Sequence, residues 1–416
     1  AGDVTREQDP YFSFSESFSR WGRSFAALGI RYRGATLVLD LLDRKGKYEN
    51  GFMHGPEPAW RERGTFKPAR IQFTANAIPG QVGSGLRATE TFFHEGGHAA
   101  HFANIDMPAP CYAQEFAPTS VAFAEVQSMF LDSLLGDADW QRRYALDRDG
   151  EPMPVELIEK AIRIDQLFAS NRVRAMFTIP YCERALYELP ESELTPPNVL
   201  RALREIEKRL LFLPRGSARP ALSVPHLLAG ESSAYYHGYV MAQMGVEQTR
   251  EHFLRRDGHL MDNARIGPDL AEVYWQPGNS RTFAEFVEAM TGNPASAAPL
   301  ARSVNRTVDD AIAEAHARME NAADIPDRTS QLIDAHLQRM RSDKWWSANV
   351  QLSIAPDSNI NAGPSTQEVI IFDLPFQLNE DSVQKSGVGI EALLDGDIRP
   401  RITDNMRFAL GGRLFV

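Results

Sequence analysis

Cysteine is scarce in this chain: only Cys111 and Cys182 are present. Two are too few for the disulfide framework of a small secreted domain, and they fit a reducing compartment. Both are expected to be buried small residues. Positive charge is also short, with 44 Lys and Arg against 55 Asp and Glu and a net charge of -11. A generally basic surface is missing, which argues against a nucleic-acid partner. No apolar run approaches the roughly 20 residues of a membrane helix, and the polar, acidic opening has no signal-peptide pattern. No internal repeat of fixed period is present. What remains is 416 residues, 43% hydrophobic and 24% charged, a globular composition too long for one ordinary core. Two domains, or a large helical domain with an appendage, are expected. The first residue is Ala1 rather than Met, so a processed, trimmed or partial chain is expected.

Periodicity divides the chain. Ala35–Leu42 reads as a buried strand, Asp43–Gly51 as a turn rich in charge and glycine, and Arg70–Ile78 as a second strand. From Leu86 to about Glu320 the pattern is mostly helical, broken at Met107–Pro110, Gly150–Pro154, Leu213–Pro220 and Gly292–Pro294. One more helical stretch, Thr329–Arg341, follows. Then Trp346–Ile354, Val369–Phe372 and Met406–Val416 read as strands. The switch from helical to strand period marks a domain boundary between about 322 and 343. The expected division is a domain over 1–325, a helical linker over 326–342 and a β-rich segment over 343–416.

The strongest chemical signal is His94-Glu95-Gly96-Gly97-His98, inside a helical stretch. Positions i and i+4 share a helix face, so two imidazoles can bind one zinc ion while Glu95 reaches a water activated by it. Gly96 and Gly97 cost the helix about 1 kcal/mol each relative to Ala, tolerable where backbone or substrate must approach closely. A zinc hydrolase needs a third protein ligand. His101, three positions beyond His98, lacks the metzincin spacing and reads as a second-layer or packing residue. Glu115 and Glu125, 17 and 27 positions beyond His98, are the candidates. Glu125 is preferred. It sits in the apolar run Val121–Phe130, where a carboxylate is costly to bury unless paired or metal-bound.

These residues resemble the thimet-oligopeptidase-like family of zinc metallopeptidases, which includes oligopeptidases and peptidyl-dipeptidases. The family core H-E-F-G-H-A-L-H reads here H-E-G-G-H-A-A-H, and the later E-x-P-S-Q reads Glu125-Val-Gln-Ser128. Asp40-Leu-Leu-Asp-Arg44-Lys-Gly46-Lys47 is similar to the family's D-L-x-x-R-x-G-K strand and turn. Pro277-Gly-Asn-Ser280 and Phe286 to Gly292-Asn-Pro294 are similar to its P-G-G-S and F-x-G-R-x-P close. His226, Gly230, Tyr236 and Tyr239 fit its H-x-x-x-G-G-Y-x-x-x-Y-Y-x-Y stretch. Ser232 stands where peptidyl-dipeptidase-type members carry Tyr, and His237 replaces one of the paired tyrosines. One transition-state donor is thereby missing, and Tyr235 is a neighbour able to replace it.

The resemblance covers roughly residues 10–320. It implies a mainly α, zincin-type helical catalytic domain with a small β-sheet. A short antiparallel β segment follows. It implies one zinc ion on His94, His98 and Glu125, with Glu95 as general base. His226, Tyr236 and Tyr239 are the catalytic donors. Short oligopeptides are the implied substrates. Arg70–Ile78 is the strand expected to pair with an extended peptide. The family's long upstream helical region, the other wall of a deep channel, is mostly missing.

Other features read more blandly. His54, His252, His259, His316 and His336 are expected on the surface, and the acidic stretches Asp132–Asp139 and Asp309–Glu314 as solvated helix faces. The tail, with Ser353–Asn361 and Phe372–Leu378, resembles the opening of the barrel in surface-lipoprotein assembly modifiers. About four strands are expected there, fewer than the eight of the smallest barrels. Membrane association is therefore expected only through that segment. A monomer in the cytoplasm is expected, with the bacterial envelope as the alternative. A catalytically impaired or envelope-associated binding protein is the competing function.

Overall fold

The computed structural model describes residues 2–45, 47, 51–113, 117–213, 215, 217, 221–227 and 232–323. Beyond these it describes the strands at 346–357, 368–371, 374–377, 387–398, 401–403, 406–407 and 410–415. Two compact units divide at Ile333/Asp334. The Thr329–Arg341 stretch, the linker over 326–342, Glu115, Gly230 and His336 lie outside the described residues.

The first unit is mainly helical with a small sheet. It opens with α1 (Gly2–Gln8) and α2 (Ser17–Ala27). Five strands follow: β1 (Thr36–Leu42), β2 (Phe52–Glu57), β3 (Trp60–Glu62), β4 (Thr65–Lys67) and β5 (Arg70–Ala77). The central helices are α3 (Ser84–Asn104), α4 (Val121–Asp132), α5 (Ala138–Tyr144), α6 (Val155–Glu188) and α7 (Pro196–Leu211). Then come α8 (His237–Asp257), α9 (Ile266–Asp269), α10 (Phe283–Thr291), α11 (Ala298–Asn305) and α12 (Val308–Ala323). A π-helical turn, Leu270–Trp275, continues α9. Local chemistry sets several ends. Two prolines open α7, a Thr282/Glu285 capping box opens α10, and Gly258 in the left-handed region closes α8.

The sheet runs in the order β1-β5-β2, with β1 parallel and β2 antiparallel to β5. Among the described residues of this unit, one face carries the core. Ile71, Phe73, Ala75 and Ala77 of β5 point into the core. Leu37, Leu39 and Leu41 pack beside it, while Val38 and Leu42 are 46% and 49% exposed. The expectation of a fully buried first strand is therefore corrected: β1 is an edge strand whose alternate side chains face away from the helices. Strand β2 carries Gly55 and Pro56, and that turn-like composition hid it from the sequence reading.

The turn after β1 is fastened by its own motif. Arg44 donates both guanidinium nitrogens to Asp40, at 2.7 and 2.8 Å. Lys47, its side chain 4% exposed, donates to the Asp40 carboxylate and to the carbonyls of Asp40, Leu42 and Ala75. The D-L-x-x-R-x-G-K pattern thus ties β1 to β5.

The main core gathers Trp21, Phe73, Phe92, Phe93, Phe123, Trp140 and Trp275. Each such aromatic contributes about 1.5–3 kcal/mol on full burial. Around them lie buried polar groups that the sequence reading had placed in solvent. Asp137 and Asp139 are buried, and Asp137 accepts from Arg250 at 2.6 Å and Arg318 at 2.7 Å. The stretch 132–139 is therefore not a solvated face but an interior ion network. Cys182 is buried, whereas Cys111, in the turn Pro110–Ala113, is exposed, contrary to expectation. His316 is exposed and paired with Glu159, and His252 and His259 are half-buried.

The second unit has β6 (Trp346–Asp357), β7 (Glu368–Ile371), β8 (Leu374–Gln377), β9 (Gly387–Ile398), β10 (Arg401–Thr403), β11 (Met406–Arg407) and β12 (Leu410–Phe415). Strands β12, β9 and β6 form one antiparallel sheet, and β7-β8 and β10-β11 pair separately. Seven described strands exceed the four expected; glycine-rich β9 was the longest one missed. No described helix is long and apolar enough to cross a membrane.

Candidate metal centre

The centre forms where α3 crosses α4. His94 and His98 sit one turn apart on α3, and Glu125 faces them from α4. The Nε2 atoms of both imidazoles lie 3.5 Å from Glu125 Oε2, and the three ligand atoms all fall within 4.8 Å of one another. Tetrahedral zinc with ligand bonds near 2.0–2.1 Å spaces neighbouring donors roughly 3.3 Å apart, so the cluster has the right size. Three protein donors leave the fourth position of such an ion to water or substrate.

The double glycine lets the helices meet this closely. A Cβ on Gly97 would stand 2.7 Å from the Gln127 carbonyl oxygen and 2.8 Å from Ser128 Cα, both on α4. One on Gly96 would stand 2.3 Å from Trp21 Nε1 of α2. Tyr32 adds a hydrogen bond from its hydroxyl to the Gly96 carbonyl at 2.9 Å. The helical cost of two glycines is therefore offset by packing on both sides of the ligand helix.

Two of the three ligands are oriented from behind, while His98 Nδ1 has no hydrogen-bond partner among the described residues. Asp132 Oδ2 accepts from His94 Nδ1 at 2.8 Å, which fixes the tautomer and turns the Nε2 lone pair inward. Asp132 is seven positions, two helical turns, beyond Glu125; that spacing was the signal the sequence reading passed over. Glu125 Oε1 accepts from the Tyr235 hydroxyl at 2.6 Å, and Ser128 Oγ lies 3.1 Å from Oε2. On the far side of α4, Gln127 Oε1 accepts from Trp275 Nε1 at 2.8 Å.

Electrostatics favour a cation here. Burial opposes charge on His94, yet the Asp132 and Glu125 carboxylates hold its pKa well above the usual histidine value. Burial would raise Glu125, but the two imidazoles hold it well below the carboxylate range. Glu95 is buried beside them and pushed upward by that burial, while the Met53 backbone N–H donates to its carboxylate. His101 is buried against Phe102 and Phe123 with neither ring nitrogen partnered among the described residues. Desolvation and the neighbouring His98 lower it to about 3.

His226 enters from a short turn before α8, and Tyr235, Tyr236 and Tyr239 gather around it with ring centroids 5.3–5.7 Å from its own. The Tyr239 hydroxyl lies 3.4 Å from His226 Nε2, and burial followed by Glu125 raises its pKa. Tyr235, the neighbour weighed as a replacement donor, directs its hydroxyl at the metal ligand Glu125. Ser232 and His237 are half-buried and exposed respectively. Glu183 of α6 accepts from the Ala234 backbone N–H at 2.6 Å, holding a residue whose φ is +55°. A non-glycine residue rarely adopts that conformation, so Glu183 is a positioning residue the sequence did not reveal.

The strand expected to receive a peptide is corrected. Strand β5 is paired on both sides, so it offers no free edge, whereas β2, whose Met53 N–H meets Glu95, is an edge strand among the described residues. From His94 and Glu95 a cleft of about 1170 Å³ runs along α3 toward α6 and α12.

Comparison with known proteins bears on this centre. No curated protein matches the chain. The M32 carboxypeptidase from Deinococcus radiodurans R1 superposes with a TM-score of 0.55 at 18% identity, over 74% of this chain and 61% of that one. A structure described as BsuCP gives 0.50 at 18% identity, over 72% and 59%. At that identity the likeness is one of fold, and the chain spans about three fifths of the length of these relatives. A model of peptidase family M3 matches residues 31–306. That span includes the HEGGH helix, Glu125 and the His226 turn, and with it the chain belongs to peptidase family M3.

Proposed function

We propose that the chain is the catalytic part of a zinc metallopeptidase acting on short oligopeptides. The observation that carries the reading is the convergence of His94, His98 and Glu125 with Glu95 buried beside them. A zinc ion on the three ligands supplies Lewis-acid polarisation of the peptide carbonyl and lowers the pKa of water. Glu95 takes the proton of the attacking water and delivers it to the leaving amine; its raised pKa suits both duties. The Met53 N–H holds that carboxylate in place. The outer edge of β2 pairs with the extended peptide and lays its carbonyl over the metal ligands. His226 and Tyr239 donate to the oxygen that gains charge in the transition state, with Tyr236 packed against both. Tyr235 keeps one carboxylate oxygen of Glu125 occupied, so that the other meets the imidazoles.

The test is cleavage of a fluorescence-quenched oligopeptide library by purified protein. Expected are cleavage by the wild type, loss with a chelator, recovery with zinc, and turnover about 10²–10⁴ lower in Glu95→Gln. Folded, zinc-loaded protein that cleaves nothing overturns the reading in favour of a binding role. Equal activity in Glu95→Gln overturns the mechanism.

A further inference from the structure

Helix α7 takes no part in the metal centre. The cleft that opens at His94 is lined by α1, α3, α4, α5, α6, α8 and α12, and α7 lies outside it. Helix α7 is two-sided. Leu203 and Ile206 turn inward and pack with Cys182 of α6. Arg201, Arg204, Glu205, Lys208 and Arg209 recur at intervals of three and four, so they form one exposed stripe along the other side.

That stripe is locally basic in an acidic protein. From Val199 to Arg215 there are five cations against two carboxylates, in a chain whose net charge is -11. One of the two, Glu207, is buried and accepts the backbone N–H groups of Ser217 and Ala221 at 3.0 and 3.2 Å. The other, Glu205, pairs with Lys208 at 3.7 Å, an exposed pair of small effect. Arg201 and Arg204 have no carboxylate partner among the described residues. The helix dipole favours Lys208 and Arg209, in the last turn, and gives Arg201 and Arg204 nothing.

The stripe ends in a displayed aromatic ring. Phe212 caps α7 at φ +56°, a conformation that a bulky side chain rarely adopts. It is 68% exposed, and Leu213 beside it is 40% exposed. Arg174 of α6 fixes the arrangement. Its Nε donates to the Leu210 carbonyl at 2.6 Å, and its guanidinium lies 3.9 Å from the Phe212 ring centroid. Arg209 sits over the exposed Tyr181 ring of α6 at 5.8 Å. A single exposed leucine needs no explanation. A phenylalanine held outward on a strained backbone, at the end of a row of unpaired arginines, suits an interface where rings leave water and cations meet negative charge.

We propose that this face of α7, with Phe212 and Leu213, docks the protein on an anionic phospholipid surface. The cations meet headgroup phosphates, and the two apolar side chains enter the layer beneath them. An exposed helix face is convex and offers no groove for the side chains of a partner peptide, whereas a fluid lipid surface yields to it. The negative charge of the rest of the chain turns the molecule so that α7 leads the approach. The docking is independent of the peptidase reading.

The test is flotation of the full chain with vesicles of phosphatidylcholine, alone or mixed with phosphatidylglycerol. Binding is expected to the mixed vesicles and not to the neutral ones, and it should weaken as salt screens the charges. Arg201→Gln combined with Arg204→Gln should weaken binding about 25-fold, near fivefold per cation. Phe212→Gly should weaken it about tenfold. Glycine adopts the left-handed conformation freely, so that variant should unfold no earlier than the wild type, which tells lost docking from a lost fold. Poly-glutamate binding, read by fluorescence anisotropy, probes for an acidic protein partner instead. Binding to poly-glutamate alone that depends on Arg201 and Arg204 overturns the lipid proposal. So does equal binding to both vesicles, binding to neither, or binding that the variants retain in full.

Discussion

The helix pair α3/α4 and the turn that carries His226 to Tyr239 serve one centre and are held by different means. In the helix pair the ligand spacing belongs to the helix itself, and Gly97 lets two backbones touch. In the turn, contacts from distant elements hold the rings. Glu183 anchors Ala234 from α6, and Tyr235 reaches Glu125 across 110 positions of sequence. A site can thus combine a part set by helix geometry with a part set by tertiary contact, and Ser232 and His237, which depart from the family pattern, fall in the second.

The largest effect that sharpens the contrast is expected from Glu95→Gln. It should cost about 10²–10⁴ in turnover with zinc content unchanged by metal analysis, because Glu95 is not a ligand. Asp132→Asn comes next. Loss of the carboxylate behind His94 should weaken zinc affinity about 10–100-fold, read by competition with a chelator, while the turn is left intact. Glu183→Gln addresses the turn alone. With its anchor weakened, kcat/KM should fall about tenfold, as for a hydrogen bond to a charged group, and zinc affinity should stay. If Glu183→Gln loses zinc as readily as Asp132→Asn, the division into two parts fails.

The last effect is on stability rather than on activity and concerns His101. In the unfolded chain it titrates near 6.5, in the fold at about 3. Between those values the unfolded state binds more protons, so stability falls as pH drops through the window, by about 1.4 kcal/mol per unit. His101→Phe should flatten that slope in denaturant titrations between pH 6 and 4. An unchanged slope would place the acid sensitivity elsewhere.

The metal ligands were legible because each carries its evidence locally. His94 and His98 declare themselves by a four-residue spacing, and Glu125 by being a carboxylate in an apolar run. Asp132 was not legible, since an aspartate in an acidic stretch looks solvated until α3 is seen beside it. The peptide-pairing strand was misplaced for a related reason. Sequence shows that Arg70–Ile78 is a strand but not that β1 and β2 occupy both its edges. Strand β2 itself was hidden by Gly55 and Pro56, and β9 by its glycines. Helical periodicity survives in a single sequence; strand order and cross-chain partners do not.

The clasp at Lys47 has a practical consequence. Its ammonium is enclosed by one carboxylate and three carbonyls, so an amine-reactive reagent cannot reach it while β1 and β5 stay joined. Among surface lysines that acylate at once, Lys47 should react only as fast as this corner of the sheet opens. Mass-spectrometric labelling of one residue then becomes a clock for local unfolding next to the catalytic helix.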